Sequence, residues 1–213
     1  MICLKLFQLS LQNSKKFSVN LRSRKVAFAT FLLTSFSLLA DDGREKLSLI
    51  LNKFNSFETL RSNITLNGTI GGTLSYQKPY LFHLKFQDGR VISANGKTIW
   101  FYSPERGIAG KQELKGGTTG GLSGLLSGYE EVVSTGKSTI KLTSANRNWD
   151  EVTVAFTENY LPKTIRLRRK TTGETSEINF TSFQTNLGLS SDLFNFHPPS
   201  NAQIVENPLN QRQ

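Results

Sequence analysis

The sequence predicts a mainly β chain with helical segments (α+β), organised as an antiparallel sandwich or barrel. Three observations lead there. Apolar residues alternate at period two in one run after another. Gly-containing pairs suited to tight hairpins, such as Asp88-Gly89 and Asn95-Gly96, separate several of these runs. Two other stretches space their apolar residues at helical intervals instead.

The chain opens with a basic, acid-free segment holding Lys5, Lys15, Lys16, Arg22, Arg24 and Lys25. An apolar run, Val26 to Leu39, follows and ends in Ala40 before Asp41-Asp42. That order predicts a secretory signal peptide over residues 1–40, cleaved near Ala40. The run is short for a membrane span, which needs about 20 residues. Residues 41–213 then form a single domain with room for a sizeable core. The only cysteine, Cys3, falls in the leader, so the mature chain has no disulfide and no thiolate ligand.

Cleavage also removes most of the charge. Of 26 basic and 16 acidic residues, 6 bases and no acids lie in 1–40, which leaves 20 against 16, or +4. That is too ordinary a balance to argue for a nucleic-acid partner. The remaining basic cluster is Arg166, Arg168, Arg169 and Lys170. Arg166 and Arg168 share the strand face opposite Ile165 and Leu167, so a solvated outer face is expected. Docking on an acidic partner or anionic headgroups is the alternative.

Asp42 to Phe57 predicts a helix. Leu47, Ile50, Leu51, Phe54 and Phe57 make its apolar stripe, and Asp41 or Asp42 is the expected cap. Ser62 to Ser75 reads as extended, with turns at Asn67-Gly68 and Gly71-Gly72. A strand ends at Lys78-Pro79. The next places Tyr80, Phe82, Leu84 and Phe86 on one face and His83 on the other. Thr98 to Tyr102 carries Ile99 and Phe101 on one face, Trp100 and Tyr102 on the other, so it needs cover on both sides. From Ser138 onward, alternating strands return with Ile140, Leu142, Val152, Val154, Phe156, Ile165, Leu167, Ile178 and Phe180 facing inward, and Gly173 in a turn.

Residues 107–129 hold eight glycines. Leu122, Leu125, Leu126, Tyr129, Val132 and Val133 nevertheless follow helical spacing there. Each interior Gly costs about 0.8–1 kcal/mol relative to Ala, so such a helix would be weak. It reads as a movable lid over an apolar hollow or, more plainly, as a loop whose leucines plug the core.

No catalytic pattern emerges. Gly96-Lys97-Thr98 and Gly136-Lys137-Ser138 lack the upstream glycine of a phosphate loop, where Val91 and Glu131 stand. Gly121-Leu122-Ser123-Gly124 is out of register for a nucleophile elbow. His83 and His197 are isolated, which argues against a metal site. Asn63-Ile64-Thr65 matches a common glycan-acceptor pattern. The chain therefore reads as a binding protein, with no enzyme activity and no cofactor.

GTLSYQKPYLFHLKF, ISANGKTIWFYSP and LFNFHPPSNAQIV, in this order and spacing, resemble the outer-membrane lipoprotein carrier family, LolA. The resemblance covers essentially all of 41–213. It implies an unclosed antiparallel β-barrel wrapped around lid helices, with an apolar cavity for lipoprotein acyl chains. The implied role is a monomeric periplasmic carrier that receives cargo from an ATP-driven inner-membrane complex and passes it to an outer-membrane acceptor. The family's latch arginine falls at Lys78, whose partner would be lid backbone, and lysine lacks the planar fork of arginine. The cavity-mouth aromatic falls at Phe82. An aspartate often found before the late hairpin turn is replaced by Lys170. The cargo-facing candidates are Phe82, Leu84, Phe86, Ile99, Phe101, Leu122, Leu125 and Leu126. A carrier or sensor of loose lipid or glycolipid, and an adaptor whose aromatics bind a protein, are the other readings.

Overall fold

A computed structural model describes residues 36–114, 124 and 126–208, with side chains from Asp42 onward. Helix α1 (Phe36–Asn55) comes first, followed by β1 (Thr59–Leu66), β2 (Ile70–Gln77), β3 (Leu81–Phe86), β4 (Val91–Asn95), β5 (Thr98–Ser103) and β6 (Ile108–Glu113). After the glycine-rich segment come β7 (Glu131–Gly136), β8 (Thr139–Thr143), β9 (Trp149–Phe156), β10 (Pro162–Arg169) and β11 (Thr175–Thr185). A 3-10 turn (Ser191–Phe194) and β12 (Gln203–Glu206) end the described chain.

All the strands join one 12-stranded sheet in the order β12-β6-β5-β4-β3-β2-β1-β11-β10-β9-β8-β7. Every pairing is antiparallel except β12 with β6, which is parallel. The two ends of the sheet, β12 and β7, do not pair, so the barrel is unclosed. This is a single curved sheet, not a sandwich.

Register aligns the apolar face around that curve. Ile140, Val154, Ile165, Ile178 and Leu66 are successive cross-strand partners. On the other half, Leu74, Leu84, Ile92 and Phe101 form the same kind of row. A slip of one residue would turn any of these rows outward, so burial of one face holds the register. The first half is fully covered, with Ile140, Val154 and Leu66 at 0 % exposure.

Helix α1 lies against this face at the β7–β8 end. Ile50 and Phe54 are buried, and Leu47 and Leu51 pack partly buried against the core. Asp42 is inside the helix and not its cap, because the helix starts at Phe36. Its carboxylate instead accepts from Lys46 Nζ, one turn on, at 2.7 Å. The helix ends where the Ser56 hydroxyl and N–H both bond Lys53 O. Phe57 then turns into the core beside Phe54, edge to face.

Two local expectations change. Asn67 and Gly68 do form the first turn, both at positive φ. Gly71-Gly72 is no turn; it lies within β2. A Cβ on Gly71 would stand 2.6 Å from the Gln87 side chain, and one on Gly72 would stand 3.0 Å from Lys85 O. These glycines let β2 and the chain around β3 approach closely. The predicted helix through Val132 and Val133 is also absent, because both are in β7. Gly128 at φ 76 breaks any helix before them, and paired β-branched residues favour a strand. Leu122 and Leu125 lie outside the described residues. Leu126 is buried in the core.

Candidate functional site: the inner face of β3–β6

The wall from β3 to β6 is one place where the apolar face is only partly covered. Tyr76, Phe82, Ala94 and Ile99 are successive partners across it, and Leu84, Ile92, Phe101 and Gly110 make the neighbouring row. Leu84, Phe86 and Ile99 are buried, whereas Phe82 and Phe101 are only half-buried. Leu47 and Leu51 of α1 and Leu114 after β6 are likewise half-buried apolar residues packed on this core. Tyr80 precedes β3 in a turn, so it does not extend the row.

The outer side of the same wall is covered by the C-terminal segment. Phe194 is 1 % exposed. Phe196 packs against Trp100 and Tyr102, with ring centres 6.4 and 5.8 Å apart. The cover that a strand apolar on both faces requires is thus supplied from about a hundred residues away along the chain. Buried Ser93 donates to Phe194 O at 3.1 Å. His83 Nδ1 lies 3.2 Å from Ser93 Oγ. Because the hydroxyl proton goes to Phe194 O, the imidazole must be the donor, which sets its proton on Nδ1. Burial, and secondarily Lys85, push the His83 pKa below the usual histidine value.

Three contacts fix the elements that flank the sheet. Lys78 Nζ donates to Asn55 O at the end of α1 (2.7 Å) and lies 3.3 Å from Glu58 Oε1. A cation at the carbonyl end of a helix interacts favourably with its dipole. In the N-terminal half of α1, a Cβ on Gly43 would stand 2.8 Å from Ser134 N and Val132 O, so helix and β7 touch backbone to backbone. Arg44 donates to Glu130 O at 2.7 Å, and Lys46 donates to Ser134 Oγ at 2.8 Å. Third, Arg147 donates to the carbonyls of Ser127 and Gly128 and stacks on Tyr129. Burial raises the Tyr129 pKa, and the nearby guanidinium partly offsets this. Neither the Gly43 seat nor the Arg147 clamp was foreseen. Nothing in the local sequence marks either, since both depend on partners far along the chain.

The basic cluster is matched by acids on neighbouring strands. Arg166 pairs with Glu177 at 2.7 Å, and Arg168 pairs with Asp150 at 2.8 Å. Arg166 is 61 % exposed, in keeping with a solvated outer face. Lys170 donates to Ala145 O. Among the described residues, no group of three or more His, Cys, Asp or Glu could hold a metal ion. Nor is any helix among them long and apolar enough to cross a membrane.

The profile of the family described as outer membrane lipoprotein carrier protein LolA matches residues 53–197. The chain belongs to the LolA family. It is 25% identical over 183 residues to an outer-membrane lipoprotein carrier protein of Legionella pneumophila (strain Lens), spanning 74% of this chain and 88% of that one. To the protein of the same description in Coxiella burnetii (strain RSA 493) it is 25% identical over 200 residues, covering 83% and 92%. Among solved structures, an uncharacterized conserved protein from Thermus thermophilus shares the fold at TM-score 0.52 and 11% identity, over 78% of this chain and 99% of that one. A LolA superfamily protein from Nitrosomonas europaea matches at TM-score 0.41 and 11% identity, over 71% and 96%. The LolA match spans every strand of the half-covered wall and both histidines.

Proposed function

We propose that this chain is a periplasmic carrier that encloses the acyl chains of lipoproteins and shuttles them from the inner to the outer membrane. The observation that carries the reading is the half-buried state of Phe82 and Phe101 on an otherwise apolar inner wall, in a LolA-family chain. Each acyl CH2 removed from water is worth about 0.8 kcal/mol, so a carrier in water must surround its cargo. It must also surrender that cargo. Apolar residues already covered in the empty form, such as Leu84 and Ile99, reduce the net gain on loading and keep the handover feasible.

In this proposal cargo meets Phe82 and Phe101 first. Leu84, Phe86 and Ile99 lie deeper, and Leu122, Leu125 and Leu126 close over the chains. Lys78 holds the end of α1 in the empty form. An ATP-driven complex in the inner membrane would load the protein and an outer-membrane acceptor would unload it. No enzymatic step or cofactor is required of this chain.

The test is incubation of the purified protein with inner-membrane vesicles bearing a labelled lipoprotein and their release complex. The expected result is transfer of the label to the soluble fraction. If phospholipid co-purifies with the protein and no lipoprotein is lifted, a carrier of loose lipid replaces the proposal.

A further inference from the structure

Trp149 and Arg169 are partners across the β9–β10 ladder, where its register shifts. Trp149 is wholly buried and belongs to the hydrophobic core. The Arg169 guanidinium carbon lies 5.5 Å from the indole ring centre. Both side chains are donors with no acceptor capacity. Among the described residues, neither Trp149 Nε1 nor Arg169 Nε has an acceptor, although both atoms are buried.

The far end of Arg169 is differently placed. Its Nη1 stands 3.7 Å from Glu174 Oε2, on a carboxylate that is largely exposed. Its backbone N–H is bonded to Glu174 O. The charge is therefore offset from the solvent side, while the Nε edge stays buried. A single buried donor left unpaired is costly, and two stacked neighbours are doubly so. Val152 and Leu167, partners of each other on the same two strands, are both buried and apolar. Such surroundings suit an oxygen attached to hydrocarbon better than a hydrated ion.

We infer that Trp149 Nε1–H and Arg169 Nε–H form a buried two-donor subsite for the acyl oxygen of a fatty chain. The carboxylate of a fatty acid and the carbonyl of a fatty ester share that chemistry. The inference rests on the carrier reading, because only a protein that takes up acyl chains would bring an acyl oxygen to these donors.

The indole N–H signals of the 15N-labelled protein provide the test, with Trp100→Phe assigning the pair. The probes are laurate, methyl laurate and dodecane, with displacement of an apolar dye reporting uptake. Laurate and methyl laurate should both move the Trp149 signal, laurate further, and dodecane should leave it in place. Arg169→Lys, which keeps the charge and removes Nε, should weaken laurate about tenfold with dodecane uptake unchanged. A Trp149 signal that stays still while laurate displaces the dye assigns the donors to a resident water and ends the proposal. So does a shift by dodecane as large as that by laurate. Uptake of none of the probes would overturn the carrier reading, and the subsite with it.

Discussion

The Lys78 ammonium lies 2.7 Å from the carbonyl oxygen of Asn55, at the last turn of α1. One side chain on β2's C-terminal side thus ties down the C-terminal end of α1. Its second partner, Glu58, has a side chain 76% exposed and adds little. Lys78→Met should cost the empty protein about 0.5–1 kcal/mol. It should also speed dye uptake, and Lys78→Arg should restore the slower rate. Stopped-flow dye binding and denaturant titration check this. Uptake that is unchanged in Lys78→Met would remove the latch role.

Gly43 makes a second, sharper demand on the same helix. A methyl group there would meet three backbone atoms of β7 at 2.8 Å, and backbone cannot swing aside as a side chain can. Gly43→Ala should destabilise the fold by about 1–3 kcal/mol, despite the better helix propensity of alanine. Gly188, where an added methyl would find nothing within 4 Å, is the control, and Gly188→Ala should be near neutral.

Ser93 and His83 predict a pH dependence. His83 has a folded pKa below the ordinary value of 6.5, chiefly because it is half-buried. The unfolded chain therefore takes up the proton first, and stability falls as pH drops from 6.5 toward the lower folded value. His83→Gln should flatten that part of the profile in acid titrations of thermal stability. Ser93→Ala leaves Phe194 O without its donor and should cost about 1–3 kcal/mol. Faster hydrogen exchange over residues 191–196 should accompany it.

Phe82 is half-buried, so a charge there can reach water without unfolding the wall. Phe82→Glu should abolish lipoprotein capture with the thermal midpoint nearly unchanged. Leu84→Glu, at a buried position beside it, should instead unfold the protein. Capture by Phe82→Glu at the normal level would move the cargo site elsewhere.

Much of the wall was legible in the sequence because the alternation of Leu84, Phe86, Ile99 and Phe101 matches a strand buried on one face. The same holds for Val152, Val154, Ile165 and Leu167. What misled was the coincidence at Leu126, Tyr129, Val132 and Val133. Leu126 reaches the core from a turn, Tyr129 from irregular chain and Val132 from a strand, so residues from different kinds of structure mimic one helical stripe. β12 left almost no pattern, because its backbone pairs with β6 while Ile204 remains 52% exposed. The C-terminal cover was legible only as a need, in the two-sided apolar character of Trp100 and Tyr102. The Trp149–Arg169 pairing depends on a register shift, which no local motif announces.

The seam between β1 and β11 joins Leu60 to Thr185, and β12 reaches back to β6 from still later in the chain. Long loops must therefore close before either contact forms, which slows such topologies. Assembly cannot finish on a partly delivered polypeptide, since the middle of the sheet waits for its penultimate strand. A protein threaded across a membrane front end first would keep its oily interior unformed until nearly the whole chain had arrived on the far side.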